Sequence, residues 1–131
     1  MPVYNCISPA GAVPMDVRPK IAKAFTDIHC GSTNAPRSFV HVFFKETPEG
    51  ADSGYDTPYY IDAGNRAGRP ADVVLKLKSD LRQAYAEHAG VALDQVGARI
   101  VEGPARWSME GGHILPEPGQ EGAEWYAHAA D

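Results

Sequence analysis

The chain has 131 residues, enough for one domain with a single hydrophobic core and too few for two. Hydrophobic residues make up 44% of it and charged residues 22%, which is typical of a globular protein and excludes a disordered chain. The net charge of −5, from 17 acidic and 12 basic residues, offers no basic surface for nucleic acid or for an anionic membrane, so we expect neither partner.

We expect no segment of the chain to direct it into a membrane or out of the cell. No apolar run approaches the roughly 20 residues that span a bilayer, and residues 1–14 do not have the basic and then apolar order of a signal peptide. The two cysteines, Cys6 and Cys30, have neither CxxC nor metal-ligand spacing and are expected to be free thiols. These features predict a cytoplasmic protein.

The first third of the chain has the pattern strand, helix, strand. Residues 2–8 are rich in strand-forming types and end at a proline. A helix is predicted from an N-cap at Asp16 to a C-cap at Gly31, because apolar residues recur there at helical spacing and Pro19 falls within the first turn. The almost continuously apolar run 38–44 (SFVHVFF) predicts an interior strand that is covered on both faces.

The same pattern returns after a polar connection that contains proline and glycine. Residues 59–63 (YYIDA) predict a third strand, and residues 64–69 (GNRAGR) predict a tight loop. Pro70 then opens a helix that ends at Gly90. Residues 96–102 (VGARIVE) predict a fourth strand, so the second half of the domain repeats the first in structure.

These elements predict an α/β fold made of two strand-helix-strand units, at residues 2–45 and 58–102, in a single domain of residues 1–131. Crossover connections make the two strands of each unit parallel. The four strands then form one mixed sheet with both helices on one face. The uncovered face favours a small symmetric oligomer, and the aromatic tail at 103–131 is expected to pack on another surface, such as that of a neighbouring subunit.

This topology brings distant polar residues to the edge of the sheet where the chain begins. Proline after an initiator methionine is a common start without function, but removal of the methionine would expose the secondary amine of Pro2, an acid, base or nucleophile if its pKa is lowered. If the two units run in opposite directions, His29 lies at this edge because it ends the first helix. Arg66 and Arg69 join it from the loop after the third strand, and Glu110 joins it from the segment after the fourth.

Arg66 and Arg69 have the chemistry of a carboxylate clamp. Each guanidinium can grip a carboxylate through paired donors, and both precede a helix N-terminus, whose free amides and dipole favour an anion. Phosphate is an alternative anion, although the glycines here form neither a P-loop nor a dinucleotide fingerprint. Two solvated loop arginines would have the same pattern.

His29 and Glu110 each have a structural and a functional interpretation. His29 either interacts with the dipole at a helix C-terminus or hydrogen-bonds a substrate oxygen. Glu110 either is solvated or, in a closed site, activates water or carries a proton. A metal site formed by these two residues with His113 is a further alternative, but no HExxH motif supports it, and we expect no metal and no cofactor. Structural or solvated roles are expected for His41, His88 and His128.

Four segments of the chain carry a resemblance to a known family. They are PVY at residues 2–4, AKAFTDIH at 22–29, RAGRPAD at 66–72 and EGPARWSMEGGHILPEPGQEGAEW at 102–125. With these segments the chain resembles the tautomerase superfamily, and specifically its cis-3-chloroacrylic acid dehalogenase subgroup. The resemblance covers most of the chain and implies the tautomerase-like β-α-β fold and a homotrimer.

The resemblance also implies roles for individual residues. In that family the amino-terminal proline is catalytic, two arginines bind the substrate carboxylate, and a histidine and a glutamate complete the site. By position these roles fall on Pro2, Arg66, Arg69, His29 and Glu110.

The chain departs from the family pattern on the fourth strand. The family's dehalogenases carry a tyrosine three residues before the EGPA-like segment, where this chain has Arg99. A guanidinium cannot replace a phenol, so at most weak dehalogenation is expected, and Arg99 is expected to help to hold the carboxylate. Phe39, with Trp107, is expected at the pocket wall and favours an aromatic or larger apolar substituent.

Three functions are compatible with this sequence. The first is a cofactor-independent keto-enol tautomerase of small 2-oxo or enol carboxylates, with Pro2 as acid and base and with weak hydratase or dehalogenase activity on 3-haloacrylates. The second is a cofactor-independent oxygenase that cleaves an aryl enolpyruvate with dioxygen. The third is a non-catalytic binding protein, because the superfamily also includes cytokine-like members.

Overall fold

The computed structural model describes residues 2–128. Met1 and the side chain of His128 lie outside the described part, so the expectations for both remain predictions. Within residues 2–128 no helix combines the length and the apolar character that crossing a bilayer requires.

A four-stranded mixed sheet forms the centre of the fold and confirms the predicted α/β class. Its strands are β1 (Val3–Pro9), β2 (His41–Thr47), β3 (Tyr59–Arg66) and β4 (Val96–Gly103), in the spatial order β2-β1-β3-β4. The pairs β1–β2 and β3–β4 are parallel, whereas β1 and β3 are antiparallel. The two strand-helix-strand units therefore run in opposite directions, which is the arrangement assumed in placing Pro2, His29 and the two arginines at one edge.

Two long helices, α1 (Arg18–Thr33) and α2 (Ala71–Ala89), contact each other and cover one face of the sheet. Burial of large apolar side chains between them and the strands, at about 1.5–3 kcal/mol each, provides the main stabilisation. The largest members of this core, each at most 1% exposed, are Tyr4, Ile21, Phe25, Ile61, Leu77, Leu81 and Tyr85. Cys6 in the core and Cys30 on α1 are both free thiols, as predicted.

The ends of α1 differ from the prediction. Pro19 lies in the first turn, as expected, but the helix begins at Arg18 with Val17 and not Asp16 as its N-cap, and no side chain caps it. At the other end the helix passes through Gly31 and stops at Thr33. Asn34 then adopts a left-handed conformation, with φ of 58°, and caps the helix through its backbone N–H. Asparagine tolerates this conformation better than most residues, so a glycine was not needed at the end of the helix.

The predicted interior strand at residues 38–44 is wrong in position and in environment. Residues Arg37–Phe39 form a 3₁₀ turn, β2 starts only at His41, and β2 is an edge strand. Phe43, whose side chain is 51% exposed, lies on the sheet face that no helix covers. A continuous apolar run cannot distinguish a strand covered on both faces from an edge strand with one apolar face open.

The tail folds into short elements at the end of the sheet where the chain begins. They are a 3₁₀ turn (Ala105–Trp107), β5 (Met109–Glu110), β6 (His113–Ile114) and α3 (Ala123–His128). Trp125 is buried in a second apolar cluster, together with Ala35, Phe39, Ala105 and Leu115. The tail thus packs on its own chain here, while Trp107 remains 74% exposed.

Candidate active site

Pro2 is buried at the start of the central strand β1. Its carbonyl accepts a hydrogen bond from the backbone N–H of His41 at 3.1 Å, and the next residue, Val3, pairs with Gly64 of β3. Continuing this antiparallel register by one residue places Pro2 opposite Asn65. Because side chains alternate along a strand, Pro2 lies on the same face as Tyr4, the face that the helices cover.

His29 lies inside α1 and is 1% exposed. Its Nδ1 is 2.6 Å from the hydroxyl oxygen of Tyr4. Burial, followed by the positive charges of Arg69 and Arg66, lowers the pKa of His29 to about 3, so the ring is neutral at physiological pH. A neutral imidazole is a poor partner for the helix dipole, which leaves hydrogen bonding as the chemistry open to His29.

Asn65 is a site residue that the sequence did not indicate. Its Nδ2 donates to the Tyr4 hydroxyl oxygen at 3.4 Å, and the residue is 2% exposed. Its Oδ1 and the Nε2 of His29 are both buried and have no hydrogen-bond partner in the described part of the chain. Residue 65 was predicted in a loop, whereas β3 continues to Arg66 and thereby points Asn65 towards the helices. Only a correct prediction of where β3 ends would have indicated that Asn65 belongs to the site.

Arg66 is the last residue of β3 and is 3% exposed. Its guanidinium donates to the Pro116 carbonyl at 2.6 Å and to the carboxylate of Glu121 at 2.9 Å, and it lies 5.1 Å from the centre of the Trp125 ring. The tail of the same chain therefore encloses Arg66. The carboxylate of Glu121 therefore accepts one of the Arg66 hydrogen bonds that the sequence reading had assigned to a substrate.

Arg69 is half-buried, and its Nη1 donates to the Arg66 carbonyl at 3.2 Å. Burial, followed by the neighbouring charge of Arg66, lowers the pKa of Arg69. Burial acts to raise the pKa of Glu121, but backbone N–H donors and Arg66 lower it overall, so Glu121 is ionised. Glu121, together with the exposed carboxylate of Glu102, which also acts on Arg69, offsets part of the positive charge of the two arginines.

Glu110 and His113 lie opposite each other in the β5–β6 hairpin, and one carboxylate oxygen of Glu110 is buried. The hairpin follows β4 and belongs to the same tail that encloses Arg66. Across residues 2–128, no three His, Cys, Asp or Glu side chains are grouped so that they could hold a metal ion, so His29, Glu110 and His113 do not form such a set.

Arg99 does not join the site of its own chain, contrary to the expectation that it helps to hold the carboxylate. Its side chain donates through Nε and Nη2 to both carboxylate oxygens of Asp62, at 2.8 and 2.9 Å. Its neighbours Ala98 and Ile100 pack against the core, so Arg99 points to the helix-free face. Asp62 is three residues from Asn65, so the pair also lies about 10 Å along the strand from the Pro2 edge.

Phe39 forms an aromatic wall with Trp125, and not with Trp107 as expected. The Phe39 and Trp125 rings meet edge to face, with centroids 5.1 Å apart, and Phe39 is 9% exposed. A cavity of about 470 Å³ opens beside Trp125 and Pro116, both of which contact Arg66. A larger cavity of about 620 Å³ lies at the opposite end of β1, beside Pro9 and the connection to β3, far from these residues.

The fold is shared with several solved structures. N1, a member of the cis-3-chloroacrylic acid dehalogenase family, is 29% identical, with a TM-score of 0.84 over 95% of this chain and 90% of that one. Native Ps01740 is 30% identical, with a TM-score of 0.76 over 82% of this chain and 99% of that one. A fused 4-OT, described as an asymmetric trimer, has the same fold at 20% identity, with a TM-score of 0.74 over 86% of this chain and 94% of that one.

Other comparisons define the limits of this similarity. The chain matches no protein-family profile, and no curated protein matches its sequence. Kinship therefore rests on the shared fold at 29–30% identity over most of both chains. On this evidence the chain belongs to the tautomerase superfamily and is similar, within it, to the cis-3-chloroacrylic acid dehalogenase family.

Proposed function

We propose that the protein is a cofactor-independent enzyme that moves a proton on small 2-oxo or enol carboxylates, with the amine of Pro2 as acid and base. The observation that carries this proposal is a buried, neutral His29 beside two arginines, at the sheet edge where Pro2 lies. The proposal requires removal of Met1, which frees the amine. Membership of the tautomerase superfamily supports an enzymatic role in general and not this particular reaction.

Binding of the substrate carboxylate is assigned to Arg69, with help from Arg66. Arg66 has five N–H donors, of which its contacts with Pro116 and Glu121 use one each. Arg69 uses one donor on the Arg66 carbonyl. The donors that remain on Arg66 and Arg69 suit the two oxygens of a carboxylate, and we propose that the two guanidinium charges favour the neutral, basic form of the Pro2 amine.

Proton transfer then follows from the positions of Pro2 and His29. The free amine of Pro2 removes a proton from the carbon beside the carbonyl group. The electron pair of that C–H bond becomes the new carbon–carbon double bond, while the π pair of the carbonyl group moves to its oxygen to give an enolate. His29 donates a hydrogen bond to this oxygen, which is worth most in a dry site. A proton from solvent on the oxygen gives the enol, and Pro2 releases to solvent the proton that it took from carbon; the reverse sequence returns the 2-oxo acid.

Glu110 extends the chemistry to water. If the buried oxygen of its carboxylate activates a water molecule, that water adds to the double bond of a 3-haloacrylate, and halide leaves from the adduct. We propose this hydration and dehalogenation as a weak activity only, because Arg99 stands where the family's dehalogenases have a tyrosine.

Phe39 and Trp125 favour a substrate with an aromatic substituent. Both rings are less than 10% exposed and meet edge to face, and the Trp125 ring contacts the Arg66 guanidinium. An aryl group bound beside them would keep its carboxylate near the arginines. Arylpyruvates are therefore the substrate class that we propose.

We further propose a homotrimer in the cytoplasm as the working form. Two exposed apolar side chains, Phe43 and Val101, lie on the helix-free face of the sheet, where a second subunit would cover them. Fused 4-OT proteins of the same fold are described as trimers.

The decisive experiment measures keto-enol exchange of phenylpyruvate by the intact protein and by Pro2→Ala, under air and under nitrogen. We expect exchange in both atmospheres and its loss, by at least about 100-fold, in the variant. Lys78→Ala, a surface change on α2, is the control and keeps the activity. Oxygen-dependent cleavage would favour the oxygenase instead. Equal exchange by Pro2→Ala, or Met1 found in place by mass spectrometry, would contradict the proposal and favour a binding protein.

A further inference from the structure

Three buried polar side chains, those of Asn65, Tyr4 and His29, form a hydrogen-bonded series. The proposed function does not explain it. Asn65 Nδ2 lies 3.4 Å from the Tyr4 hydroxyl oxygen, which lies 2.6 Å from Nδ1 of His29. All three residues are at most 2% exposed. Buried polar atoms are costly unless they are paired, so this arrangement calls for a role.

The direction of the hydrogen bonds follows from the donors and acceptors present. An amide Nδ2 can only donate, so the Tyr4 oxygen accepts from Asn65. The Tyr4 hydroxyl proton then has one described acceptor, Nδ1 of His29, because a donating Nδ1 would leave this buried proton unpaired. Burial also raises the pKa of Tyr4, so the hydroxyl keeps its proton at physiological pH.

The consequence falls on the other ring nitrogen of His29. In a neutral imidazole only one nitrogen carries a proton, and if Nδ1 accepts from Tyr4 the proton is on Nε2. Nε2 is buried and has no hydrogen-bond partner in the described part of the chain. Burial, and then the charges of Arg69 and Arg66, lower the pKa of the ring to which it belongs. Nε2 is therefore a donor that is available to a bound ligand.

We propose that Tyr4 and Asn65 are positioning residues that hold His29 as the neutral tautomer protonated on Nε2, so that Nε2 donates to the oxygen of the bound 2-oxo or enol acid. This inference rests on the proposed function for the identity of the acceptor. The tautomer itself does not depend on the substrate, so it can be tested separately. A preformed donor needs no rearrangement when charge develops on the oxygen, which is the advantage such an arrangement provides.

The chain offers a matched control for this role. Tyr85 is also fully buried, and its hydroxyl donates to a protein acceptor, the Ile7 carbonyl, at 2.7 Å. Ile7 lies on β1 five residues beyond Pro2, so Tyr85 is away from the site. Tyr85→Phe removes a buried hydroxyl at a similar structural cost to Tyr4→Phe but leaves the Asn65–Tyr4–His29 chain intact.

The experiment records the imidazole nitrogen resonances of His29 in ¹⁵N-labelled protein without substrate, assigned by comparison with His29→Gln. We expect a protonated Nε2 and an unprotonated Nδ1 in the intact protein and in Tyr85→Phe. Tyr4→Phe and Asn65→Leu should shift the ring towards the other tautomer. They should also lower kcat for phenylpyruvate by about 10-fold or more, with KM little changed because the arginines are intact.

The two proposals fail in different ways. A proton on Nδ1 in the intact protein, or a ring spectrum that Tyr4→Phe and Asn65→Leu both leave unchanged, would overturn the positioning role whatever the activity. The expected tautomer without any turnover of 2-oxo acids would instead remove the proposed function and, with it, the acceptor assigned to Nε2. If Tyr4→Phe does not fold, as judged by circular dichroism, Asn65→Leu carries the test, because it retains every aromatic side chain of the core.

Discussion

At the scale of single residues, burial sets the charge of His29 and so links its protonation to the stability of the fold. The pKa of this ring is about 3 in the folded chain, because burial and the two arginines disfavour the charged form. The ordinary value of a histidine is about 6.5. As the pH falls below 6.5, the unfolded chain therefore takes up a proton that the folded chain refuses.

We expect this difference to appear as a loss of stability on acidification. This contribution is present above the unfolded pKa of about 6.5 and is lost, by up to about 1.4 kcal/mol per pH unit, as the pH falls towards the folded pKa of about 3. Carboxyl groups with lowered pKa, such as those of Asp62 and Glu121, add to the loss in the lower part of this window, so the slope is compared between pH 6.5 and about 4.5. Urea unfolding at several pH values gives the slope. His29→Gln should lose most of it, whereas His88→Gln, at an exposed position, should keep it. An unchanged slope in His29→Gln would contradict the assignment.

The residues of the site were predictable where their role depends on the order of strands. Pro2, His29, Arg66 and Arg69 were placed at one edge by the opposite directions of the two units, and that topology is confirmed. Asn65 and Tyr4 could not be found in this way, because their role depends on which face of a strand they occupy and on one hydrogen-bond chain. The face of Arg99 was missed for the same reason.

At the scale of elements, the tail is held by an ion pair that joins it to the end of β3. Arg66 and Glu121 are 2.9 Å apart, and their side chains are only 3% and 11% exposed. Removing one partner of a buried pair leaves the other charge desolvated and uncompensated, which typically costs about 3–5 kcal/mol. The tail also carries the buried Trp125, so tryptophan fluorescence reports whether the tail is packed at the end of the sheet.

Glu121→Gln should therefore destabilise the protein by a few kcal/mol and expose Trp125 to solvent. Glu117→Gln is the control in the same tail, because its pair with Arg106 spans 3.8 Å between exposed side chains and should contribute less than about 1 kcal/mol. Urea unfolding and the emission maximum of tryptophan measure both effects. Equal stability of the two variants would show that the Arg66–Glu121 pair does not hold the tail.

The element boundaries that sequence missed have a common physical cause. β3 continues through residues 64–66 because backbone pairing with β4 extends to Gly103, and such pairing overrides the turn preference of Gly and Asn. α1 continues through Gly31 because helical hydrogen bonds outweigh the cost of one glycine. Neither the strand pairing of β3 nor the continued helical hydrogen bonding of α1 can be predicted from the local composition of these segments.

At the scale of the whole molecule, the helix-free face of the sheet determines the expected assembly. Val3, Gly64 and Val101 form one row across this face, and Phe43 of the edge strand lies beside it. The side chains of Phe43 and Val101 are 51% and 56% exposed. An open apolar sheet face of this kind is unfavourable in water, which is the reason for the proposed homo-oligomer.

A charge placed on this face should dissociate the assembly, whereas the same charge on the helix side should not. Val101→Glu is expected to shift the mass in solution from about three times the 14.1 kDa of one chain to that of a single chain, because burying an unpaired carboxylate is unfavourable. Leu75→Glu is the matched control, since Leu75 is apolar and 65% exposed but lies on α2. Light scattering coupled to size exclusion measures the masses. A Val101→Glu protein that keeps the mass of the intact one, or an intact protein that is already monomeric, would exclude this face as the subunit interface.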